Sequence, residues 1–294
     1  MAMAQAEETR RRLCEAHGWT EDAVELVKVR ASGDKIQDRP LADIGGKALW
    51  TRELDIWLAE GRIDAAVHSM KDVETLRPES LTIAAILPRA DVRDVLIGAS
   101  SIQSIPRGAI VGTSAPRRAA QLLHHRPDCE VVMFRGNVAT RLAKLAAGEA
   151  QATFLAAAGL ERLGRTGTGT FLPADEFLPA PAQGAIGIEC NTGDARTRDL
   201  LSAINHQDSR DTVMAERALL EALGGTCHSP IAVLSELKPG TLTMKASLFS
   251  ASGSERVDGT IECDPHELDA VRAFGRDLLS RAASAITVLF NGQS

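Results

Sequence analysis

The chain of 294 residues lacks several features that would assign it to a specialised class of protein. It has no apolar run long enough to span a membrane, and its N-terminus lacks the apolar core of a secretory signal. Its five cysteines are odd in number and widely scattered, and no CxxC or Cys/His spacing indicates zinc. No internal repeat is evident. We therefore expect a cytoplasmic globular protein with reduced thiols, no metal, and two or three domains.

The chain also lacks the positive charge that general nucleic-acid binding requires. Its net charge is −6 at pH 7, so we expect no nucleic acid among its partners, and the lack of a spanning apolar run predicts no membrane partner. The charge is uneven, however, because residues 91–165 hold ten Lys and Arg against six Asp and Glu. A basic segment in an acidic protein indicates a local site for an anionic ligand. A solvated basic surface is the alternative interpretation.

One apolar segment of strand type, Ala65–Val67, stops abruptly in His68-Ser69-Met70-Lys71-Asp72. The preceding residues 47–60 carry apolar side chains at helical spacing and end at Gly61, which predicts a helix with one buried face. In an open α/β sheet, ligands bind outside the carboxyl ends of strands, which is where Asp72 would lie. The alternative is that Asp72 merely caps the next turn. Nearer the N-terminus, we predict a helix at 5–17 and a strand at 25–29.

A strand followed by arginines recurs three times in the basic segment. The predicted strands are 109–111, 130–134 and 152–156. The residues that follow them are, in order, Gly112-Thr113-Ser114 with Arg117-Arg118, Arg135-Gly136-Asn137 with Arg141, and Gly159 with Arg162. After the first strand, we predict Ser114 as the N-cap of a helix whose first turn contains Pro116.

Arg117 and Arg118 stand in the first turn of that predicted helix, where positive charge opposes the helix dipole. Arginine side chains match carboxylates bidentately, so a bound carboxylate ligand would offset the unfavourable charge. Free N–H groups at the helix start would add to the attraction. The pattern therefore favours an anion site, with a plain basic surface as the alternative.

The C-terminal third predicts a hinge, a return strand and a separate small domain. Residues 178–184 are rich in proline and read as a hinge, and an apolar strand follows at 185–190. A helix at 209–223 with Ser209 as its cap ends in Gly224-Gly225, just before Cys227. Strands at 231–234, 241–248 and 256–261 and a helix at 265–283 predict helices packed on an antiparallel sheet. From the residues alone, Cys227 is either an inert thiol or a reachable one.

Four of these motifs, in this order, resemble the porphobilinogen deaminase (hydroxymethylbilane synthase) family from about Gln5 to the C-terminus. They are His68–Asp72, Gly112-Thr113-Ser114 with Arg117-Arg118, Arg135-Gly136-Asn137 with Arg141, and Gly224-Gly225-Thr226-Cys227. The resemblance implies an α/β fold with two hinged, periplasmic-binding-protein-like α/β domains and a small α+β C-terminal domain. It implies domain 1 at 1–87 with 185–204, domain 2 at 91–180 with the basic cleft, and domain 3 at 207–294 with the cofactor cysteine.

The resemblance also implies a chemistry. Members are monomeric transferases of tetrapyrrole (porphyrin and haem) biosynthesis, which join four porphobilinogen units into hydroxymethylbilane and release ammonia at each step. The chain grows on a covalent dipyrromethane cofactor, which the matching cysteine, here Cys227, holds through a thioether. Each pyrrole carries an acetate and a propionate, so the growing chain is strongly anionic. Loss of ammonia leaves a cationic azafulvene, which a carboxylate at Asp72 would stabilise.

The family's site residues carry over position by position. Asp72 matches the catalytic aspartate. The cofactor-binding positions are Ser69, Lys71, Asp72, Thr113, Ser114, Arg117, Arg118, Arg141 and Cys227. The substrate-binding positions are Lys47, Arg135, Arg141, Arg162 and Gln183, and no metal is implied. Two positions depart from the family: Ala115 stands where many members have Ser, and Asp43 stands where a lysine is usual.

Family members begin with a strand that ends in an Arg and a Ser, and here only the end of that pattern is present, as Met1–Gln5. We therefore expect the first strand to be missing from domain 1. Either the true start lies upstream, or the chain is a truncated and impaired form of the enzyme. A further alternative is a hinged anion-binding protein, which would bind a small anion without releasing ammonia from porphobilinogen.

Overall fold

The structure is a computed structural model that describes residues 1–29, 51–226 and 228–290. The helices of this part are α1 (Ala2–His17), α2 (Arg52–Ala59), α3 (Pro116–His125), α4 (Val138–Ala146), α5 (Ala157–Arg162), α6 (Ala195–Ser202), α7 (Gln207–Ala222), α8 (Leu268–Arg281) and α9 (Ser284–Thr287). The strands are β1 (Ala65–Ser69), β2 (Leu81–Ile86), β3 (Asp94–Ile97), β4 (Ile110–Gly112), β5 (Glu130–Val132), β6 (Ala152–Ala156), β7 (Thr170–Phe171), β8 (Ile186–Asn191), β9 (Ile231–Lys238), β10 (Thr241–Phe249) and β11 (Arg256–Cys263). None of the helices described is both long and apolar enough to cross a membrane.

The chain divides into two compact units. The first comprises Met1–Ala90 and Gly184–Asp211, and the second comprises Asp91–Gln183 and Thr212–Ser294. The chain therefore returns to the first unit directly after the turn that the sequence identifies as a hinge. The division into three domains, at 1–87 with 185–204, 91–180 and 207–294, remains a prediction.

The first unit is built on an antiparallel sheet in the order β1-β8-β2. β8 is central, because Ile188 pairs with Val67 of β1 and with Ala85 of β2. Helices α1 and α6 contribute Leu13 and Leu201 to the core that β8 shares. The apolar sequence of β8 fits this position, since a strand covered by neighbours on both edges and packed on by helices has little contact with water.

The second unit contains a five-stranded sheet in the order β5-β4-β6-β3-β7. β4 pairs in parallel with both β5 and β6, whereas β3 is antiparallel to its neighbours. The three parallel strands are those that the sequence predicts to be followed by arginines. Because parallel strands share one carboxyl edge, these arginines begin from the same edge of the sheet.

The C-terminal part of the second unit is a three-stranded antiparallel sheet, β11-β10-β9. Leu219 of α7, Val271 and Leu278 of α8, and Met244 of β10 lie in one buried core. Along α8, apolar side chains recur at helical spacing and face the sheet, whereas the charged side chains face solvent, as the sequence indicates. The predicted α/β class with a small α+β C-terminal part is confirmed.

The predicted strand at 25–29 is wrong. No strand forms there, and Val27 is 45% exposed. Its β-branched composition favours an extended chain, but a strand requires a ladder partner, and no described strand pairs with it. The helix predicted at 47–60 is seen as α2, and residues 47–50 lie outside the described residues.

Ala182 is held in a conformation that favours glycine. Among the described residues it is the one non-glycine with a positive φ, 57°, and it is buried. Its backbone N–H donates to a Glu216 carboxylate oxygen at 2.6 Å, which anchors the turn. A left-handed alanine costs about 1–2 kcal/mol, whereas glycine loses about 0.5–1 kcal/mol more backbone entropy on folding.

We expect Ala182→Gly to leave the protein about 1–2 kcal/mol more stable than Ala185→Gly, because both substitutions remove a buried methyl group and add backbone entropy to the unfolded chain, but only the first relieves a left-handed alanine. Urea unfolding of the purified protein measures the difference. Ala185→Gly is the matched control, since Ala185 is also buried but does not have a positive φ. That control should lose stability, and an equal loss in both variants would contradict the assignment of strain to Ala182.

Candidate functional site

Asp72 lies on a short 3-10 turn, Met70–Asp72, that begins where β1 ends. Met70 anchors the turn: its side chain is buried, and its backbone N–H donates to the Ala185 carbonyl at 3.1 Å. Lys71 and Asp72 are exposed. The chain leaves the turn in extended form at Val73.

Ser69, the last residue of β1, is tied to the N-terminal helix. Its hydroxyl accepts a hydrogen bond of 2.7 Å from the Gln5 side-chain amide, and Gln5 is itself buried in α1. A hydroxyl that accepts one bond can still donate one, so Ser69 stays available to a carboxylate ligand. Gln5 is thus a residue that supports the predicted site, although the sequence did not single it out for that role.

The start of α3 differs from the prediction. Ala115, not Ser114, is the N-cap residue, and no side chain caps the helix. The reason is that the Thr113 hydroxyl accepts the Ala115 N–H at 3.2 Å, which delays the helix to Pro116. The Ser114 hydroxyl lies instead 3.4 Å from the Arg141 guanidinium, so the structure brings these two predicted site residues together.

Arg117 and Arg118 do not form a plain basic surface, since each is only 5% exposed. Their guanidinium groups lie on either side of Asp94, which is completely buried at the start of β3. Arg117 Nη1 is 2.7 Å from one carboxylate oxygen, and Arg118 Nη2 is 2.7 Å from the other. Arg117 also donates to the Leu178 carbonyl and Arg118 to the Phe154 carbonyl.

Gln183 completes this buried cluster, which we call the Asp94 cluster: Asp94, Arg117, Arg118 and Gln183. The Gln183 amide donates to the Val92 carbonyl at 2.7 Å and to Asp94 at 3.1 Å. Burial by itself would raise the pKa of Asp94, but the two guanidinium groups outweigh it and hold that pKa well below its usual range. Two cations then face one anion, and the cluster keeps a net positive charge.

The Asp94 cluster fits an anionic group. Arg117 Nε is buried and has no hydrogen-bond partner among the described residues. An unpaired buried donor is unfavourable, so an acceptor from a ligand would stabilise it. The net positive charge and the uncapped start of α3 favour the same kind of ligand. A dipyrromethane with acetate and propionate side chains has this chemistry.

The turn after β5 positions Arg141. Asn137 caps α4 by accepting the Thr140 N–H at 3.0 Å. Gly136 has a φ of 108°, and a Cβ there would lie 2.7 Å from the Thr140 side chain, so only glycine fits. The Gly136 carbonyl accepts a bond of 3.0 Å from Arg141 Nε, which directs the guanidinium towards Ser114.

Arg135 lies near His228, the residue after Cys227. Partial burial and the positive charge of Arg135 both lower the pKa of His228. Arg162 ends α5 and is half-buried. Lys47 and Cys227 lie outside the described residues, so their roles remain predictions.

Asp94 is the main residue that the sequence analysis missed. It stands before the apolar residues of β3 rather than after a strand, and its neighbours Asp91 and Arg93 are also charged. The usable signal was a carboxylate at the first position of a buried strand. That signal does not identify which distant cations it meets.

Comparison with known proteins places these residues in one family. Residues 1–199 match the model for the porphobilinogen deaminase, dipyromethane cofactor binding domain, and residues 211–281 match that for the porphobilinogen deaminase C-terminal domain. The porphobilinogen deaminase of Sphingopyxis alaskensis is 52% identical over 296 residues, which cover 99% of this chain and 93% of that protein. The chloroplastic porphobilinogen deaminase of Oryza sativa subsp. japonica is 48% identical, over 94% of this chain and 79% of that protein. Among solved structures, the VFT2 domain of Bordetella pertussis BvgS (a double mutant) has a TM-score of 0.40 at 16% identity, over 73% of this chain and 82% of that one.

Proposed function

Because this chain belongs to the porphobilinogen deaminase family, we propose that Asp72 is its catalytic carboxylate and that Cys227 holds its cofactor. The chain is an enzyme of tetrapyrrole biosynthesis, a transferase that polymerises four porphobilinogen units into hydroxymethylbilane with release of ammonia. Its cofactor is dipyrromethane. The predicted activity and cofactor are thus confirmed, and no comparison favours the anion-binding alternative.

The observation that carries the proposal is the position of Asp72. Its carboxylate is exposed on a turn that the buried Met70 anchors at the end of β1. A fixed carboxylate there stabilises the positive charge that develops as ammonia leaves the substrate, and it can hold or return a proton at its own oxygens. We assign these two roles to Asp72.

The remaining residues bind carboxylates. We assign Arg135, Arg141, Arg162, Gln183 and Lys47 to the substrate, and Ser69, Lys71, Thr113, Ser114, Arg117, Arg118 and Arg141 to the cofactor. When bound, the dipyrromethane supplies the pyrrole to which the first substrate unit is joined. In the Asp94 cluster, Asp94 and Gln183 hold the two guanidinium groups in fixed directions, so their orientation does not depend on the ligand.

We further propose that the enzyme is a cytoplasmic monomer whose small-molecule partner is porphobilinogen, with neither nucleic acid nor a membrane as a partner. Cys14, Cys129 and Cys190 are buried free thiols, which suits a reducing compartment. The net charge of −6 opposes general nucleic-acid binding. Light scattering on the purified enzyme measures its mass in solution, and a dimer mass would contradict the monomer assignment.

Intact-mass spectrometry tests the role of Cys227. We expect the wild-type protein to carry two pyrrole units once added porphobilinogen has been consumed, and Cys227→Ser to show the bare chain mass. Cys263→Ser is the matched control, because burial and nearby carboxylates raise the pKa of the Cys263 thiol and make it a poorer nucleophile. It should keep the full adduct. An adduct on Cys227→Ser, or a bare wild-type chain that still releases ammonia steadily, would overturn the assignment.

A further inference from the structure

A buried ion pair between Arg77 and Glu189 lies beside β1 in the first unit. Glu189 stands in the apolar strand β8 and is completely buried, and the Arg77 side chain is 9% exposed. Arg77 Nε lies 2.8 Å from Glu189 Oε1, and Arg77 Nη2 lies 2.8 Å from Oε2. This bidentate arrangement sets the direction of both side chains as well as their distance. A charge in the middle of an apolar strand is unfavourable unless it is paired in this way.

The same carboxylate contacts a second residue, His68 of β1. Glu189 Oε2 lies 3.2 Å from His68 Nε2, a charge contact without hydrogen-bond geometry, and His68 is 6% exposed. His68 comes four residues before Asp72, and Arg77 comes five residues after it. Glu189 therefore contacts both ends of the segment 68–77 that carries Asp72.

The Arg77 end of that segment is held further by contacts with α2 and with the residue just before α2. Arg77 Nη1 lies 2.7 Å from Glu74, and Arg77 Nη2 also pairs with Asp55 of α2. The Thr51 hydroxyl donates to the same Glu74 oxygen at 2.7 Å. Burial would raise the pKa of Glu189, but His68 and Arg77 outweigh it and lower that pKa to about 2, so Glu189 is ionised at neutral pH.

We propose that Glu189 is a positioning residue for Asp72: through His68 and Arg77 it holds both ends of the segment 68–77 and so fixes where the Asp72 carboxylate lies. The inference rests on the proposed catalytic role of Asp72. A buried ion pair is a weak source of stability, because well-packed apolar residues of the same volume stabilise a core equally. Directional control of an exposed, reacting group is a use that apolar packing does not serve. A displacement of about 1 Å can lower a rate by roughly 10²-fold.

Glu189→Gln keeps the side-chain shape and removes the charge. We expect kcat per cofactor-loaded protein to fall by roughly 10-fold or more, with KM changed by less than roughly 2-fold. KM should change little because the proposed carboxylate-binding arginines, Arg135, Arg141 and Arg162, belong to the second unit, which this substitution does not touch. Arg77→Lys keeps the charge but loses the planar fork, and it should give an intermediate kcat. Intact mass gives the loaded fraction of each variant.

Asn191→Ala is the matched control. Asn191 lies on the same strand two residues further on, and its side-chain amide donates to the Leu58 carbonyl of α2 at 2.7 Å. The substitution disturbs the contact between β8 and α2 without contacting the segment 68–77. It should lower the thermal midpoint and leave kcat unchanged. If Asn191→Ala lowers kcat as much as Glu189→Gln at an equal loss of stability, the effect is general and the proposal is overturned.

The double variant separates this inference from the proposed role of Asp72. If Glu189 acts through Asp72, adding Glu189→Gln to Asp72→Asn should lower kcat by less than roughly 2-fold further. If the double variant instead loses kcat by the product of the two single losses, the inference is overturned and the role of Asp72 stands. Normal turnover in Asp72→Asn alone would instead remove the proposed function of Asp72. If Glu189→Gln does not fold, Arg77→Lys carries the same comparison.

Discussion

Asp72→Asn is expected to lower the rate of ammonia release from porphobilinogen by roughly 10²-fold or more, the loss typical of a preorganised electrostatic group. Asparagine keeps the shape of the side chain and removes the negative charge. The turn should remain intact, because Met70 anchors it through its burial and its bond to the Ala185 carbonyl. Assembly of the cofactor should fall with turnover, since the same reaction builds both products.

The measurement is initial-rate ammonia release, with the loaded fraction taken from intact mass. Asp64→Asn is the matched control, because Asp64 is an exposed carboxylate just before β1, at the opposite end of the strand from Asp72. It removes the same charge from the other end of the same strand's flanking sequence and should leave the rate unchanged. Near-normal turnover in Asp72→Asn would remove Asp72 from the catalytic role.

Asp94→Ala is expected to destabilise the second unit by about 3–5 kcal/mol, the usual effect of breaking a buried ion pair by removing one partner. Arg117 and Arg118 would remain buried with no anion between them. Their mutual repulsion and lost hydration account for the size of the effect. Because both arginines are assigned to the cofactor, the loaded fraction should fall as well.

Urea unfolding of the purified protein measures the change. Asp91→Ala is the control, because Asp91 forms a partly exposed pair with Arg93 and should cost less than about 1 kcal/mol. A loss of that small size for Asp94→Ala would contradict the role given to the Asp94 cluster.

The pH dependence gives a second check on Asp94. Its pKa is lowered in the folded state, so its contribution to stability is present above the unfolded pKa of about 4 and is lost as the pH falls further. Asp94→Asn has no proton to bind. Its stability should therefore fall less steeply than that of the wild type below about pH 4. Equal slopes would mean that Asp94 is not the ionised partner of the two arginines.

Several features were predictable from the sequence because they depend on neighbours in the chain. β4, β5 and β6 follow from short β-branched and apolar runs, and the arginines after them share an edge because the strands are parallel. Gly136 and Gly224 mark a turn and a helix end through their positive φ, a local requirement. The end of β1 shortly before Asp72 was visible for the same reason. The motifs also sufficed to identify the family.

Other features were decided by residues that are distant in sequence. Arg77 and Glu189 are 112 positions apart, and Arg118 and Asp94 are 24 apart, so no spacing pattern connects either pair. The residues 25–29 have the composition of a strand, but no described strand pairs with them. The helix cap moved from Ser114 to Ala115 because the Thr113 hydroxyl takes the Ala115 N–H.

The features that the sequence determined differ from the others in the range of the interactions that produce them. Dihedral preference, amphipathic spacing and turn chemistry act within a few residues, so the sequence alone determined most of the elements, their order, and the separate strand ends after which Asp72 and the arginines stand. Pairing of charges, completion of strand ladders and burial depend on which surfaces meet when the chain folds. Only the tertiary structure therefore decided that Asp94 pairs with both Arg117 and Arg118, and that Glu189 joins the two ends of the segment carrying Asp72.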